Sequence, residues 1–104
     1  MTVKILVVDD EEMVLKVVTK LLTLRGHQVR AVSSAVAALD LLDRSKFDII
    51  ISDQGMPTMN GREFASEVLR RHGVVPFVLL TGDTDITADP ESIHLVVSKP
   101  FKIE

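Results

Sequence analysis

VKILVVDDEE, residues 3–12, is a strand that runs straight into the start of a helix. Val3 to Val8 is β-branched and nearly continuous in apolar residues, the composition of a strand buried on both faces. Asp9 and Asp10 stop it, and the acids that follow suit a helix N-terminus, where the helix dipole favours negative charge. From Glu11 to Leu24 the apolar residues Met13, Val14, Val17, Val18, Leu21 and Leu22 recur at three- and four-residue steps. That spacing predicts a helix with one inward stripe, and Gly26 is placed to end it.

The same alternation continues down the chain. Gln28 to Val32 reads as a second strand. Ser34 can cap a helix whose Val36, Leu39 and Leu42 face inward, and Phe47 to Ser52 forms a strand ending at Asp53. Asn60 caps a third helix running to about His72, with Phe64, Val68 and Leu69 on its apolar side. Gly73 stops that helix before the strand Val75 to Leu80. The stretch from Asp83 to His94 holds three Asp, a Pro and a Glu, so any helix there is short and starts near Asp89-Pro90. Leu95 to Ser98 is the last strand, followed by Lys99-Pro100-Phe101. Five strands alternating with helices imply parallel pairing through right-handed crossovers, hence a doubly wound α/β sheet with helices on both faces.

Length and composition bound what such a chain does. Its 104 residues fit a single domain, 1–104, and 46% hydrophobic with 26% charged residues is ordinary for a folded globular protein. The absence of cysteine excludes a disulfide framework and any thiolate chemistry. A net charge of −3 with scattered Lys and Arg argues against direct nucleic-acid binding. No apolar stretch is long enough to span a bilayer and no signal-peptide pattern is present, so a cytoplasmic location away from membranes is expected.

In doubly wound sheets, ligands sit outside the carboxyl ends of the strands. Four of the five predicted strands end there in reactive groups: Asp9 and Asp10, then Asp53, Thr81 and Lys99. Gathered carboxylates repel one another unless a hard cation neutralises them, and Mg²⁺ commonly bridges such oxygens to phosphate. An acidic cluster beside Lys and Thr therefore points to phosphoryl chemistry. Asp53 is the candidate nucleophile, because its strand is expected beside the first in the sheet interior. Taken singly, Asp9 and Asp10 could equally be helix-start acids, Asp53 a turn residue, Thr81 a helix cap and Lys99 a surface lysine; the joint pattern outweighs these readings.

Five motifs carry a family resemblance: Val-Asp-Asp-Glu at 8–11, Asp-Gln-Gly-Met-Pro at 53–57, Met-Asn-Gly at 59–61, Leu-Thr-Gly at 80–82 and Lys-Pro-Phe at 99–101. In that order and context the chain resembles the receiver domain of two-component response regulators over nearly its whole length. The resemblance implies a flavodoxin-like strand order 2-1-3-4-5. It also implies phosphorylation of Asp53 by a histidine kinase or phosphotransfer protein, with the domain catalysing only its own phosphorylation and dephosphorylation. Mg²⁺ would be held by Asp10 directly, Asp9 largely through water, Asp53, and the Gly55 carbonyl. Thr81 and Lys99 would hold the phosphoryl oxygens, and the Lys99-Pro100 bond would be cis.

The sequence also departs from the family. Val96 stands where receivers often carry Tyr or Phe, three residues before the lysine. The fourth helix is expected to be curtailed and the fifth to be missing. That would leave an apolar face near the last two strands to be covered by a second copy, a partner or a swapped helix. Asp83, two residues past Thr81, and Gly55, two past Asp53, are expected to tune the lifetime of the acyl phosphate. The alternative function is a receiver-like docking module that is never phosphorylated. A phosphohydrolase would need a general acid and a substrate cap, neither of which is evident, and dinucleotide binding would need a glycine-rich first turn in place of Asp-Asp-Glu-Glu.

Overall fold

The structure is a computed structural model that describes residues 2–83 and 86–99. Its elements are β1 (Lys4–Val8), α1 (Glu12–Leu24), β2 (Gln28–Val32), α2 (Ala35–Arg44), β3 (Ile49–Asp53), α3 (Gly61–His72), β4 (Phe77–Thr81) and β5 (Leu95–Ser98). All strand pairs are parallel and the order is β2-β1-β3-β4-β5. The strand order therefore reverses between β1 and β3, which places the crevice for ligands at the ends of those two strands.

Two apolar layers hold the sheet. On one face Leu6, Val8, Ile50, Phe77 and Leu79 pack against Ala38, Leu39 and Leu42 of α2 and Phe64 and Val68 of α3. Phe64 meets Phe77 edge to face, with ring centroids 5.6 Å apart. On the other face Ile5 and Val7 pack under Val18 of α1, with Val14, Leu15 and Leu22 around them. Two residues of the predicted stripes turn outward. Met13 and Val36 are exposed, because the buried phase of α1 runs through Val14, Val18 and Leu22 and that of α2 through Ala35, Ala38, Leu39 and Leu42. Small alanines let α2 lie close to the sheet where a valine had been expected.

Strand starts also differ from expectation. β4 begins at Phe77, since Pro76 has no N–H for the ladder, although its carbonyl accepts from Ile50 N–H at 2.9 Å. β3 begins at Ile49, and Asp48 before it brackets Lys4, its N–H donating to the Lys4 carbonyl and its carboxylate accepting the Lys4 N–H, each at 2.7 Å. The expected short helix near Asp89-Pro90 is not found among the described residues. Asp89 and Ile93 instead close a tight turn through two reciprocal backbone hydrogen bonds of 2.8 and 2.9 Å, and Ile93 is buried in the core.

Burial decays across the sheet on the α1 side. Val7, Ile51, Val78 and Leu95 form one row by register. Val7 is 1% exposed, Ile51 and Val78 are half-buried, and Leu95 is 54% exposed. Among the described residues α1 covers the near half of this face, and β4 and β5 are left partly open. Val96 points to the opposite face and packs against the main core.

Candidate functional site

Asp9, Asp10 and Asp53 meet at the carboxyl ends of β1 and β3, where each offers a carboxylate oxygen within 4.8 Å of the others. Asp53 is the last residue of β3 and is buried, and Asp9, one residue past β1, is 1% exposed. Asp10 is exposed at the rim. Thr81, the last residue of β4, is buried beside them. Lys99 follows β5, tied by its N–H to the Thr81 carbonyl at 2.7 Å. Its ammonium donates to Asp53 Oδ1 at 2.7 Å and lies 3.6 Å from Asp9 Oδ2. The fold thus brings the side chains of Asp9, Asp10, Asp53 and Lys99 together, and ties Thr81 to Lys99 through its backbone.

The roles differ from simple capping. Glu11, at the N-cap position of α1, makes no side-chain cap, and Asp9 Oδ1 accepts its N–H at 2.8 Å. Asp9 Oδ2 is buried and has no hydrogen-bond partner. Thr81 caps no helix among the described residues; its Oγ1 accepts the Asp83 N–H at 2.9 Å, which leaves the hydroxyl proton free to be donated. The Lys99-Pro100 bond expected to be cis lies outside the described residues, as does Phe101 of the Lys-Pro-Phe motif.

The electrostatics follow from crowding. Burial pushes the Asp9 carboxyl above the ordinary aspartate range; the Glu11 N–H opposes this, the Asp53 charge adds to it and Lys99 partly offsets it. Burial pulls the Lys99 ammonium down, but its hydrogen bond to Asp53 and the charges of Asp53, Asp9 and Glu11 outweigh that, so it stands above its ordinary value. A buried carboxylate oxygen that accepts no hydrogen bond, set among hard oxygen donors, is the chemistry a small divalent cation requires. The residues present therefore fit Mg²⁺.

The loop from β3 to α3 bears out the expected Asn60 cap and adds two features that sequence reasoning passed over, the close approach at Gly61 and the part of Glu63 in the cap. Gly61 opens α3 so close to β3 that a Cβ there would lie 2.5 Å from the Asp53 carbonyl oxygen and 2.5 Å from Leu79 Cδ1. Asn60 and Glu63 form a reciprocal capping box, at 2.9 and 3.0 Å. The glutamate three residues after the cap was a readable signal. The close approach at Gly61 had no signal beyond the glycine itself. At Gly55 a Cβ would meet nothing within 4 Å, so the loop is open on the side where a side chain would stand.

Comparison with known proteins agrees with this geometry. The model of the response regulator receiver domain matches residues 5–104, and the chain belongs to that family. It is 33% identical to the response regulator protein FleR of Pseudomonas aeruginosa over 106 residues, covering 98% of this chain and 22% of FleR. The chain spans less than half the length of the curated relatives it matches. Among solved structures, the chemotaxis response regulator CheY4 of Vibrio cholerae is 30% identical with a TM-score of 0.86, covering 97% of this chain and 89% of CheY4. The response regulator TrrA of Thermotoga maritima, solved in complex with Mg(2+)-BeF, is 27% identical with a TM-score of 0.85, covering 94% of this chain and 87% of its own.

Proposed function

We propose that residues 1–104 act as a phosphoacceptor domain of a two-component signalling system, taking a phosphoryl group from a phosphohistidine donor onto Asp53. The donor is a histidine kinase or a phosphotransfer protein, and the setting is cytoplasmic. The observation that carries this reading is the 2.7 Å contact of Lys99 with Asp53, inside a pocket shared with two further carboxylates. A carboxylate nucleophile, a cation on the transferred group and a hydroxyl donor are the parts that phosphoryl transfer needs.

Asp53 Oδ attacks phosphorus, the P–N bond to the donor imidazole breaks, and the electron pair leaves with the histidine nitrogen. Lys99 then faces the transferred oxygens as a point charge, and Thr81 donates its hydroxyl proton to them. Asp9, Asp10, Asp53 and the Gly55 carbonyl would hold Mg²⁺, which when bound neutralises charge between carboxylates and phosphoryl oxygens. The Mg(2+)-BeF complex of the Thermotoga relative supports this choice of cation. The domain catalyses only its own phosphorylation and its hydrolytic return, whose rate Asp83 and Gly55 tune. Its partners include a second copy of the chain, side by side or domain-swapped, over the part of the β4–β5 face that the described residues leave open.

A second reading, docking without phosphorylation, draws support from Val96 at the switch position and from the turn Asp89–Ile93 in place of a helix. Incubating the chain with Mg²⁺ and acetyl phosphate, followed by intact mass, separates the two. One added phosphate in the parent, absent in Asp53→Asn, supports acceptance; no added phosphate in the parent leaves docking.

A further inference from the structure

Gln54, the residue after the proposed acceptor, makes four hydrogen bonds through three of its groups. Its N–H donates to the Leu80 carbonyl at 2.9 Å, extending the β3–β4 pairing. Its carbonyl accepts from Met56 N–H at 3.1 Å and from Gly61 N–H at 3.0 Å. Its side-chain Oε1 accepts from the Arg62 N–H at 2.9 Å. Gly61 and Arg62 are the first two residues of α3, whose opening N–H groups have no partner inside the helix. One residue therefore ties the end of β3 to the start of α3 twice, once by backbone and once by side chain.

The loop between these ties is under tension. Thr58 is the only non-glycine residue with positive φ among the described residues, at 71°. A β-branched side chain is disfavoured there, and such a conformation persists only where the surroundings over-determine it. Gly55 lies inside the same loop, enclosed by the Met56-to-Gln54 hydrogen bond. Gly55 has no side chain to wedge it, so the hydrogen bonds of Gln54 are the restraints nearest to its carbonyl.

We infer that Gln54 is a positioning residue, whose side chain clamps the loop to α3 so that the Gly55 carbonyl is held toward the carboxylates of Asp9, Asp10 and Asp53. This rests on the reading of Gly55 as a Mg²⁺ ligand given above. Loss of the Oε1 acceptor leaves the Arg62 N–H to water at the exposed rim, so the fold survives. The orientation of the loop does not. Groups that orient metal ligands from behind typically change metal affinity by about 10–100-fold when lost, and this clamp, acting through a backbone carbonyl, belongs at the lower end.

The test uses the full chain in three variants. Gln54→Met keeps the length and removes the acceptor, Gln54→Glu restores an acceptor, and Arg62→Ala keeps the N–H while removing the guanidinium. Mg²⁺ affinity is measured by calorimetric titration, and the Mg²⁺ dependence of labelling by acetyl phosphate is measured by intact mass. The expected result is an affinity about tenfold weaker in Gln54→Met, parent-like or tighter in Gln54→Glu, and parent-like in Arg62→Ala. Labelling of Gln54→Met recovers to the parent rate at saturating Mg²⁺. Unchanged affinity in Gln54→Met, failure of Gln54→Glu to restore it, or a labelling defect that saturating Mg²⁺ leaves in place overturns the inference. Absence of Mg²⁺ binding by the parent overturns the reading of the site as well.

Discussion

Substituting Gly61 by alanine places one methyl group where three atoms already stand. The Cβ would lie 2.5 Å from the Asp53 carbonyl oxygen, 2.5 Å from Leu79 Cδ1 and 3.0 Å from Gln54 Cα. Ordinary contacts of this kind are about 3.5–4.0 Å, so roughly 1 Å of space must be opened. Leu79 is fully buried and two of the three atoms are backbone, so little of that movement is free. Overpacking of this sort costs about 1–3 kcal/mol, while alanine recovers up to about 1 kcal/mol of helix propensity over glycine. The net expectation is a loss of about 1–2 kcal/mol, seen as a fall in Tm of roughly 4–16 °C for a domain of this size. Thermal unfolding followed by circular dichroism without Mg²⁺ reads it. Gly55→Ala is the control, since its added Cβ meets nothing within 4 Å and its φ is not positive; its Tm should hold or rise slightly. A Gly61→Ala protein as stable as the parent, or an equal loss in Gly55→Ala, would refute the steric argument.

Two further outcomes follow from the charges. Asp9 has its folded pKa raised, so the stability it contributes is full below the ordinary aspartate range and is lost as pH rises through the raised value. In Mg²⁺-free urea denaturation, Asp9→Asn should therefore be more stable than the parent at neutral pH, with the gap closing as pH falls toward 4 on the order of the ordinary aspartate pKa; a gap independent of pH would contradict this. Lys99 also has a raised pKa, so its contribution is full at neutral pH and is lost only as the solution passes above the ordinary lysine range. Lys99→Met should cost about 1–3 kcal/mol without Mg²⁺ by leaving buried carboxylates uncompensated, and less when Mg²⁺ is added; equal losses in both buffers would show that the lysine does not act against those charges.

The sheet was legible because both-face apolar runs such as Val3 to Val8 admit few alternatives, and because the first and third of them stop at aspartates that do not continue a buried ladder. The site was legible for the same reason, as strand ends in a parallel sheet converge on one edge. Where the sequence misled, competing physics was local. Val36 has the hydrophobicity of a core residue, but Ala35 and Ala38 set the phase of α2. Pro76 delayed β4, and Pro90 stands in a turn where a helix start was expected. Gln54 carried no visible signal, because its importance lies in two bonds to a helix that begins seven residues later.

The near contact at Gly61 also makes α3 a lever. Its fulcrum rests on the backbone of Asp53, and its twelve residues end at His72, a span of about 17 Å at 1.5 Å per residue. A tilt of about 3° at the fulcrum moves the far end by roughly 0.9 Å over that length. The far end is not free: His72 and Arg71 grip Asp43 of α2 at 3.0 and 3.3 Å. A change in the tilt of α3 where it leaves β3 would therefore be felt first at this grip between α3 and α2 on the opposite rim of the sheet.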